Sequence, residues 1–150
     1  MAEKMTPEIA AYRLFEQGFD CAPTVLAHFA EDLDLEEETA LKIASGFGGG
    51  ISGMGSVCGC VTGALMALGM KTGWCEPGDE IGRKEMGAKG VEFIRRFKER
   101  CGAVKCRELL GLDVSDPEQA AQVQEQGLIP ARCPHFVTAA CDILEDMLEE

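Results

Sequence analysis

Cysteine is the residue type in this chain with the clearest capacity for chemistry. Eight cysteines occur in 150 residues, which is well above ordinary usage. Four of them stand at or near the predicted start of a helix: Cys21, Cys58, Cys106 and Cys133. The first turn of a helix has unpaired amide N–H groups and the positive end of the helix dipole, and both favour the thiolate form of cysteine. Thiolates bind metals and attack disulfides, so this placement predicts metal binding or thiol exchange.

Cations stand beside two of these four cysteines, although the chain is acidic overall. Cys106 lies between Lys105 and Arg107, and Cys133 follows Arg132. A neighbouring cation lowers the pKa of a thiol, and we therefore expect lowered pKa values at the clustered cysteines. Four helix starts that met at one place would form a site of four thiolates, with amide donors for a negatively charged cluster.

A glycine-rich stretch precedes Cys58 and Cys60. Six glycines occur between positions 46 and 55, and small and apolar residues without charge follow from Val61 to Met70. Glycine permits positive φ and close approach of the backbone to a ligand, but it costs conformational entropy on folding. The stretch therefore predicts one of two things. Either it is a functional loop that delivers Cys58 to the first turn of a tightly packed helix, or it is a surface loop before a core helix in which Cys58 and Cys60 are small buried hydrophobic residues.

The remaining elements follow from capping residues and apolar periodicity, and no alternating pattern of strands is present. The predicted helices are one from Pro7, capped by Thr6, to about Gly18; one from Cys21, with Asp20 as its N-cap; one from about Glu36 to Ser45; one from Cys58 to Met70; one from Asp79 to Arg100; a short turn over 105–111; one from Pro117, capped by Asp116, to about Gly127; and a last one opened by Arg132–His135, with Cys133 at or beside its cap. The apolar side of the longest helix is predicted to carry Ile81, Met86, Val91, Phe93, Ile94 and Phe97. The prediction is an all-α, compact helical bundle with a glycine-rich loop between helices, formed by residues 1–150 as a single cysteine-rich domain.

Composition limits the partners and the location. A net charge of −12 argues against nucleic acid and anionic membranes, since both bind clustered Lys and Arg. The first 18 residues have no uninterrupted apolar segment typical of a secretory signal, and Val61–Met70 is too short to span a membrane. We therefore expect a cytoplasmic protein, in which cysteines serve metal binding or redox chemistry rather than structural disulfides.

The glycine and cysteine spacing resembles the C-GCAxxG-C-C family of redox-active proteins, over nearly the whole chain. The residues that carry the resemblance are Gly18-Phe19-Asp20-Cys21 with Val25-Leu26, the GFGGG and GMGSVCGCVTGALMALG stretches, Cys106-Arg107-Glu108-Leu109-Leu110-Gly111, and Cys133 with the helix behind it. The resemblance implies redox activity that depends on four cysteines, which by motif position are Cys21, Cys58, Cys106 and Cys133. A similar domain occurs beside an iron–sulfur centre in cytochromes of the split-Soret type, so the resemblance also favours such a centre.

This chain departs from the family pattern at four further cysteines. Cys60 stands where the motif has alanine, and Cys101 stands where an aromatic residue is expected. Cys75 and Cys141 are additional to the motif.

Three hypotheses follow for the function. The first is electron transfer or redox sensing by an iron–sulfur cluster on Cys21, Cys58, Cys106 and Cys133, which require shielding from water. The second is thiol–disulfide exchange, with Cys58 paired to Cys60 or Cys106, although no C-x-x-C motif is present. The third is a structural zinc site or a cysteine-rich interaction domain without bound metal, although only Cys101 and Cys106 approach a zinc-ligand spacing.

The pattern assigns no catalytic side chain and leaves open whether the chain is an enzyme. The expected partner is a redox protein whose identity the sequence does not give. The small residues Gly63, Ala64 and Ala67 leave room for a homodimer, and burial within one chain explains them equally well.

Overall fold

The computed structural model describes residues 6–150. The first five residues of the predicted domain lie outside this range, and they also belong to the 18 residues in which no secretory signal is predicted. Within the described range the chain forms eight α-helices, one turn of 3₁₀ helix and no strand. The helices are α1 Pro7–Glu16, α2 Cys21–His28, α3 Glu37–Ala44, α4 Gly59–Thr72, α5 Glu80–Cys101, α6 Cys106–Leu110, α7 Pro117–Glu125 and α8 Leu128–Glu149, and the 3₁₀ turn is Glu31–Leu33. The predicted all-α class is confirmed.

Side-chain caps define three of the helix starts that the sequence predicts. Thr6, Asp79 and Asp116 each accept a hydrogen bond from the backbone N–H three residues later. Pro7 and Pro117 occupy the first helical position, where the missing N–H has no cost. α1, α5 and α7 therefore begin where local chemistry specifies.

The start of α4 differs by one position from the prediction. Cys58 is the N-cap, in an extended conformation, and it does not lie in the first turn. Its Sγ accepts a hydrogen bond from the N–H of Cys60 at 3.4 Å, as a capping oxygen would. The thiol of Cys58 therefore remains at the end of the helix, beside the unpaired amide groups.

The predicted start of α8 is wrong. The helix begins at Leu128, after Gly127 in the left-handed conformation, so Cys133 lies inside the helix and not at its cap. Pro130 is the proline of the first turn, and Pro134 lies within the helix. Pro134 has no N–H to donate to the carbonyl of Pro130, and the helix accommodates this loss in its second turn.

α2 is the central helix, and it packs against α1, α3, α4 and α8. Its closest approach is to α4, where Gly59 and Gly63 face the backbone of Ala22. A Cβ atom on Gly63 would lie 2.7 Å from the carbonyl oxygen of Ala22. The absence of side chains at these two glycines therefore allows the start of α2, with Cys21, to lie beside the start of α4.

The small-residue face of α4 is used within the chain. Gly63, Ala64 and Ala67 are buried in the core between the helices. Burial within one chain, which the sequence left open, accounts for this face. The homodimer stays a prediction, and the face formed by Gly63, Ala64 and Ala67 is no longer available as its interface.

α5 buries less of its apolar side than its sequence indicates. Phe93 and Phe97 are fully buried and stacked, with ring centroids 6.1 Å apart. Ile81 and Val91, which were predicted on the same side, are 73% and 68% exposed. Within residues 6–150, α5 packs mainly against α4 and α8, so only a narrow stripe of its surface is covered. None of the described helices is both long and apolar enough to span a membrane.

Candidate functional site

Four cysteines from four different helices line one cavity of about 200 Å³. Cys21 is the first residue of α2, Cys58 caps α4, Cys106 is the first residue of α6, and Cys133 lies in the second turn of α8. These are the four site residues that the sequence predicts. Cys60, Cys75, Cys101 and Cys141 do not line this cavity.

The rest of the cavity wall is glycine and apolar side chains. These residues are Phe15, Gly49, Gly50, Gly53, Gly59, Leu109, Leu110, Val114, Ile129 and Phe136. Asp20 adds the one carboxylate among the lining residues. Asp20 occupies the N-cap position of α2, but its side chain accepts no capping hydrogen bond. Its carboxylate lies against Gly48, where an added Cβ atom would collide with it. The cavity is thus a sulfur-rich, apolar space, with room for a group of several atoms.

The glycine-rich loop fixes the relative positions of Cys58 and Cys106. Three backbone hydrogen bonds join the loop to the segment before and within α6: Cys58 N–H to Val104 O at 2.9 Å, Cys106 N–H to Ser56 O at 2.7 Å, and Arg107 N–H to Gly55 O at 3.3 Å. Two sequence-distant cysteines are therefore held by one short antiparallel pairing of backbone.

The same loop runs through a left-handed turn in which residues 49–53 all have positive φ. Ile51 is among them, at φ 66°, which is a costly conformation for a β-branched residue. The N–H groups of Gly49 and Gly50 have no acceptor among residues 6–150, and both residues line the cavity. The loop thus brings amide donors that are not used elsewhere to the wall of the sulfur-rich space.

A tighter sulfur cluster lies at one side of the cavity. The Sγ atoms of Cys21, Cys58 and Cys60 are all within 4.8 Å of one another, which is close enough to hold a metal ion. Cys60 is fully buried. From the sequence, Cys60 is a departure from the family motif and one possible exchange partner of Cys58, but it is not among the four predicted site residues. The signal that would have found it is the Cys-x-Cys spacing at a helix start, since it puts both thiols at the same end of the helix.

The expected lowering of the thiol pKa values is wrong for two of the four cysteines to which it applied, Cys58 and Cys106. The pKa of Cys58 is raised to about 12, mainly by its hydrogen bond with Cys21 and further by burial, while a hydrogen bond from Cys60 opposes the rise. Burial and the neighbouring thiols raise the pKa of Cys60. Burial raises the pKa of Cys106 to about 12, and the charges of Cys58, Cys21 and Asp113 add to this. Crowding of thiols and loss of water therefore outweigh the helix ends and the flanking cations.

These shifts predict that the metal-free, reduced protein loses stability in alkaline solution. A thiol whose folded pKa lies above its ordinary value of 9.0 contributes its full stabilisation below pH 9, and this contribution falls as the pH rises toward 12. For Cys58 alone, the free energy of unfolding should fall by about 2 kcal/mol between about pH 8 and about pH 10.5. Urea unfolding at the two pH values measures the change.

The control for this prediction is the Cys58→Ala variant, because lysines and tyrosine also titrate in alkaline solution. The variant lacks one of the shifted thiols, so its free energy of unfolding should fall less between the two pH values than that of the unmodified chain. An equal fall in both proteins would contradict the assignment.

Comparison with known proteins identifies one family. A family model described as "Putative redox-active protein (C_GCAxxG_C_C)" matches residues 19–147. No curated protein and no solved structure matches the chain. The matched range includes all four cysteines of the cavity and the glycine-rich loop. The resemblance inferred from the glycine and cysteine spacing is confirmed.

Proposed function

We propose that this chain, which belongs to the C_GCAxxG_C_C family of redox-active proteins, holds an iron–sulfur cluster in its cavity. The cluster would serve electron transfer or redox sensing. The proposed ligands are Cys21, Cys58, Cys106 and Cys133. The observation that carries the proposal is the lining of a single cavity by these four cysteines, each from a different helix.

The donor set and the cavity fit a cluster. Four cysteine thiolates are the commonest ligand set of small iron–sulfur clusters. A bare ion needs only the space between its ligands, whereas this cavity of about 200 Å³ has room for several further atoms. A bound cluster would supply one-electron oxidation and reduction.

The chain contributes three features to such a site besides ligation. Side chains such as Phe15, Leu109 and Phe136 exclude water from the sulfur atoms. The starts of α2 and α4 direct the positive ends of their dipoles at Cys21 and Cys58, which favours bound thiolates. The unpaired amide groups of the glycine-rich loop are available to donate hydrogen bonds to sulfur, a contact that tunes the reduction potential.

The partner is proposed to be a redox protein that meets the chain at the cavity. Ile129, which lines the cavity, is 41% exposed, and it gives a partner an apolar contact at the wall of the site. The proposed location is the cytoplasm, where a reducing environment keeps cysteine thiols available to bind a metal.

Thiol–disulfide exchange is the second candidate, favoured by the closeness of Cys21, Cys58 and Cys60. Exchange begins with a thiolate, and the attacking thiol works best with a pKa near the ambient pH. The pKa values of Cys58 and Cys60 are raised in the metal-free protein, which disfavours either of them as the attacking thiol. The cluster is therefore the preferred function.

Serine substitution of the two cysteines outside the tight sulfur group tests the proposed ligand set. Cys106→Ser and Cys133→Ser should each lose most of the bound iron and most of the visible absorbance, since serine oxygen is a poor replacement for a thiolate ligand of iron. Iron analysis and absorption spectra of protein purified without oxygen measure both effects.

Two further cysteines provide matched controls. Cys75 is exposed in a loop and Cys141 is fully buried in α8, and neither lines the cavity. Cys75→Ser and Cys141→Ser should retain iron at the level of the unmodified chain. Unchanged iron in either Cys106→Ser or Cys133→Ser would contradict the four-cysteine set.

A further inference from the structure

Cys60 is the one member of the tight sulfur group that does not line the cavity. Its side chain is fully buried at the second residue of α4, behind the cavity wall that Cys21 and Cys58 form. Its N–H holds the Sγ of Cys58 at 3.4 Å, and its own Sγ lies within 4.8 Å of the other two sulfur atoms. Three sulfur atoms thus surround one point between the starts of α2 and α4. Buried Cys60 lies on the inner side of this point, and Cys21 and Cys58 lie on the side of the cavity.

The spacing is close to what one ion requires. Thiolate sulfur binds a metal such as zinc at about 2.3 Å, so three sulfur atoms in a plane around one ion stand about 4 Å apart. Sulfur atoms that lie within 4.8 Å of one another reach this geometry when side-chain rotation moves each of them by less than about 1 Å. The backbone that carries them is already fixed by the contact of Gly59 with Cys21 and Ala22.

We propose that Cys21, Cys58 and Cys60 form a binding site for a single cuprous ion. Soft thiolate ligands select Cu(I), and a closed-shell ion of low charge accepts three ligands without a fourth. Zinc in structural sites takes four ligands, and among the described residues no other His, Cys, Asp or Glu lies within 4.8 Å of all three sulfur atoms.

Binding of Cu(I) displaces the protons of the three thiols. The three thiols release three protons and the ion forms three copper–sulfur bonds, with no change in the oxidation state of copper or sulfur. The bound group carries two net negative charges, which the N-terminal ends of α2 and α4 partly offset.

This inference does not rest on the iron–sulfur proposal. The two sites share Cys21 and Cys58, so an iron–sulfur cluster and a cuprous ion exclude each other. Iron and sulfide analysis tests one proposal, and titration of the metal-free chain with Cu(I) tests the other.

The experiment is a titration of the metal-free, reduced, full chain with Cu(I) without oxygen, in competition with a coloured cuprous chelator. The chain should take one ion with high affinity, and X-ray absorption should give three sulfur neighbours. Cys60→Ala should weaken Cu(I) binding by at least roughly 10–100-fold. This is the loss caused by removing an outer partner of a metal ligand, and Cys60 is proposed as a ligand itself. Cys141→Ala, which removes another fully buried cysteine, should leave binding unchanged.

Three results would overturn the proposal. One is equal cuprous affinity in Cys60→Ala and in the unmodified chain. Another is X-ray absorption that gives copper only two sulfur neighbours in the unmodified chain. This measurement tests the site even if Cys60→Ala does not fold. The third is displacement of Cu(I) by an equimolar amount of zinc.

Discussion

Replacing Gly50 by alanine should lower the free energy of unfolding by about 2–5 kcal/mol and remove iron binding. Gly50 has φ +74°, a conformation that costs an alanine about 1–2 kcal/mol. The added Cβ atom would also lie 2.5 Å from the backbone nitrogen of Ser56 and 2.8 Å from the Cβ of Cys106. Relief of these contacts requires movement of the loop and of one proposed ligand, so stability and iron content should fall together.

Gly53→Ala is the matched control for the steric part of this effect. Gly53 lies in the same loop with the same φ of +74°, but a Cβ atom there would meet nothing within 4 Å. Its variant should lose only the conformational cost of about 1–2 kcal/mol. Urea unfolding of both variants measures the difference. Equal losses in the two variants would show that the contact with Ser56 and Cys106 does not matter.

The second large effect is expected at Gly63, at the contact between α2 and α4. Gly63→Ala should destabilise the fold by about 1–3 kcal/mol, because the added Cβ atom would lie 2.7 Å from the carbonyl oxygen of Ala22. Backbone cannot rotate away as a side chain can, so the two helices must separate. Since Cys21 precedes Ala22, the same movement should draw its sulfur away from Cys58 and weaken metal binding.

Gly69→Ala tests whether this cost comes from the helix contact or from alanine itself. Gly69 lies in the same helix, and a Cβ atom there would meet nothing within 4 Å. Alanine is a better helix former, so this variant should gain about 0.5–1 kcal/mol. Opposite signs for the two variants support the close contact of α2 and α4. Stabilisation by Gly63→Ala would refute it.

Local chemistry made much of this fold predictable. Thr6 with Pro7 and Asp116 with Pro117 specify helix starts by themselves, whatever the rest of the chain does. The identity of the four cavity cysteines was also accessible, because spacing and family resemblance both indicate them. Their convergence on one cavity depends on packing between helices that are far apart in sequence, which no local pattern describes.

The errors have physical causes as well. Pro134 resembles the first residue of a helix, but Pro130 already occupies the first turn and α8 continues through the second proline. The raised pKa values of Cys58 and Cys106 arise from burial and from other thiols, which become neighbours only after folding. Cys60 stands where the family motif has alanine, and its closeness to Cys21 depends on a contact between two helices, which no local pattern describes.

We propose above that the cavity lined by Cys21, Cys58, Cys106 and Cys133 holds an iron–sulfur cluster. The most direct test is the visible absorption spectrum of the full chain purified without oxygen, together with iron and acid-labile sulfide analysis. We predict a broad visible absorption band, with iron and sulfide in equal molar amounts. A colourless protein with neither iron nor sulfide would contradict the claim.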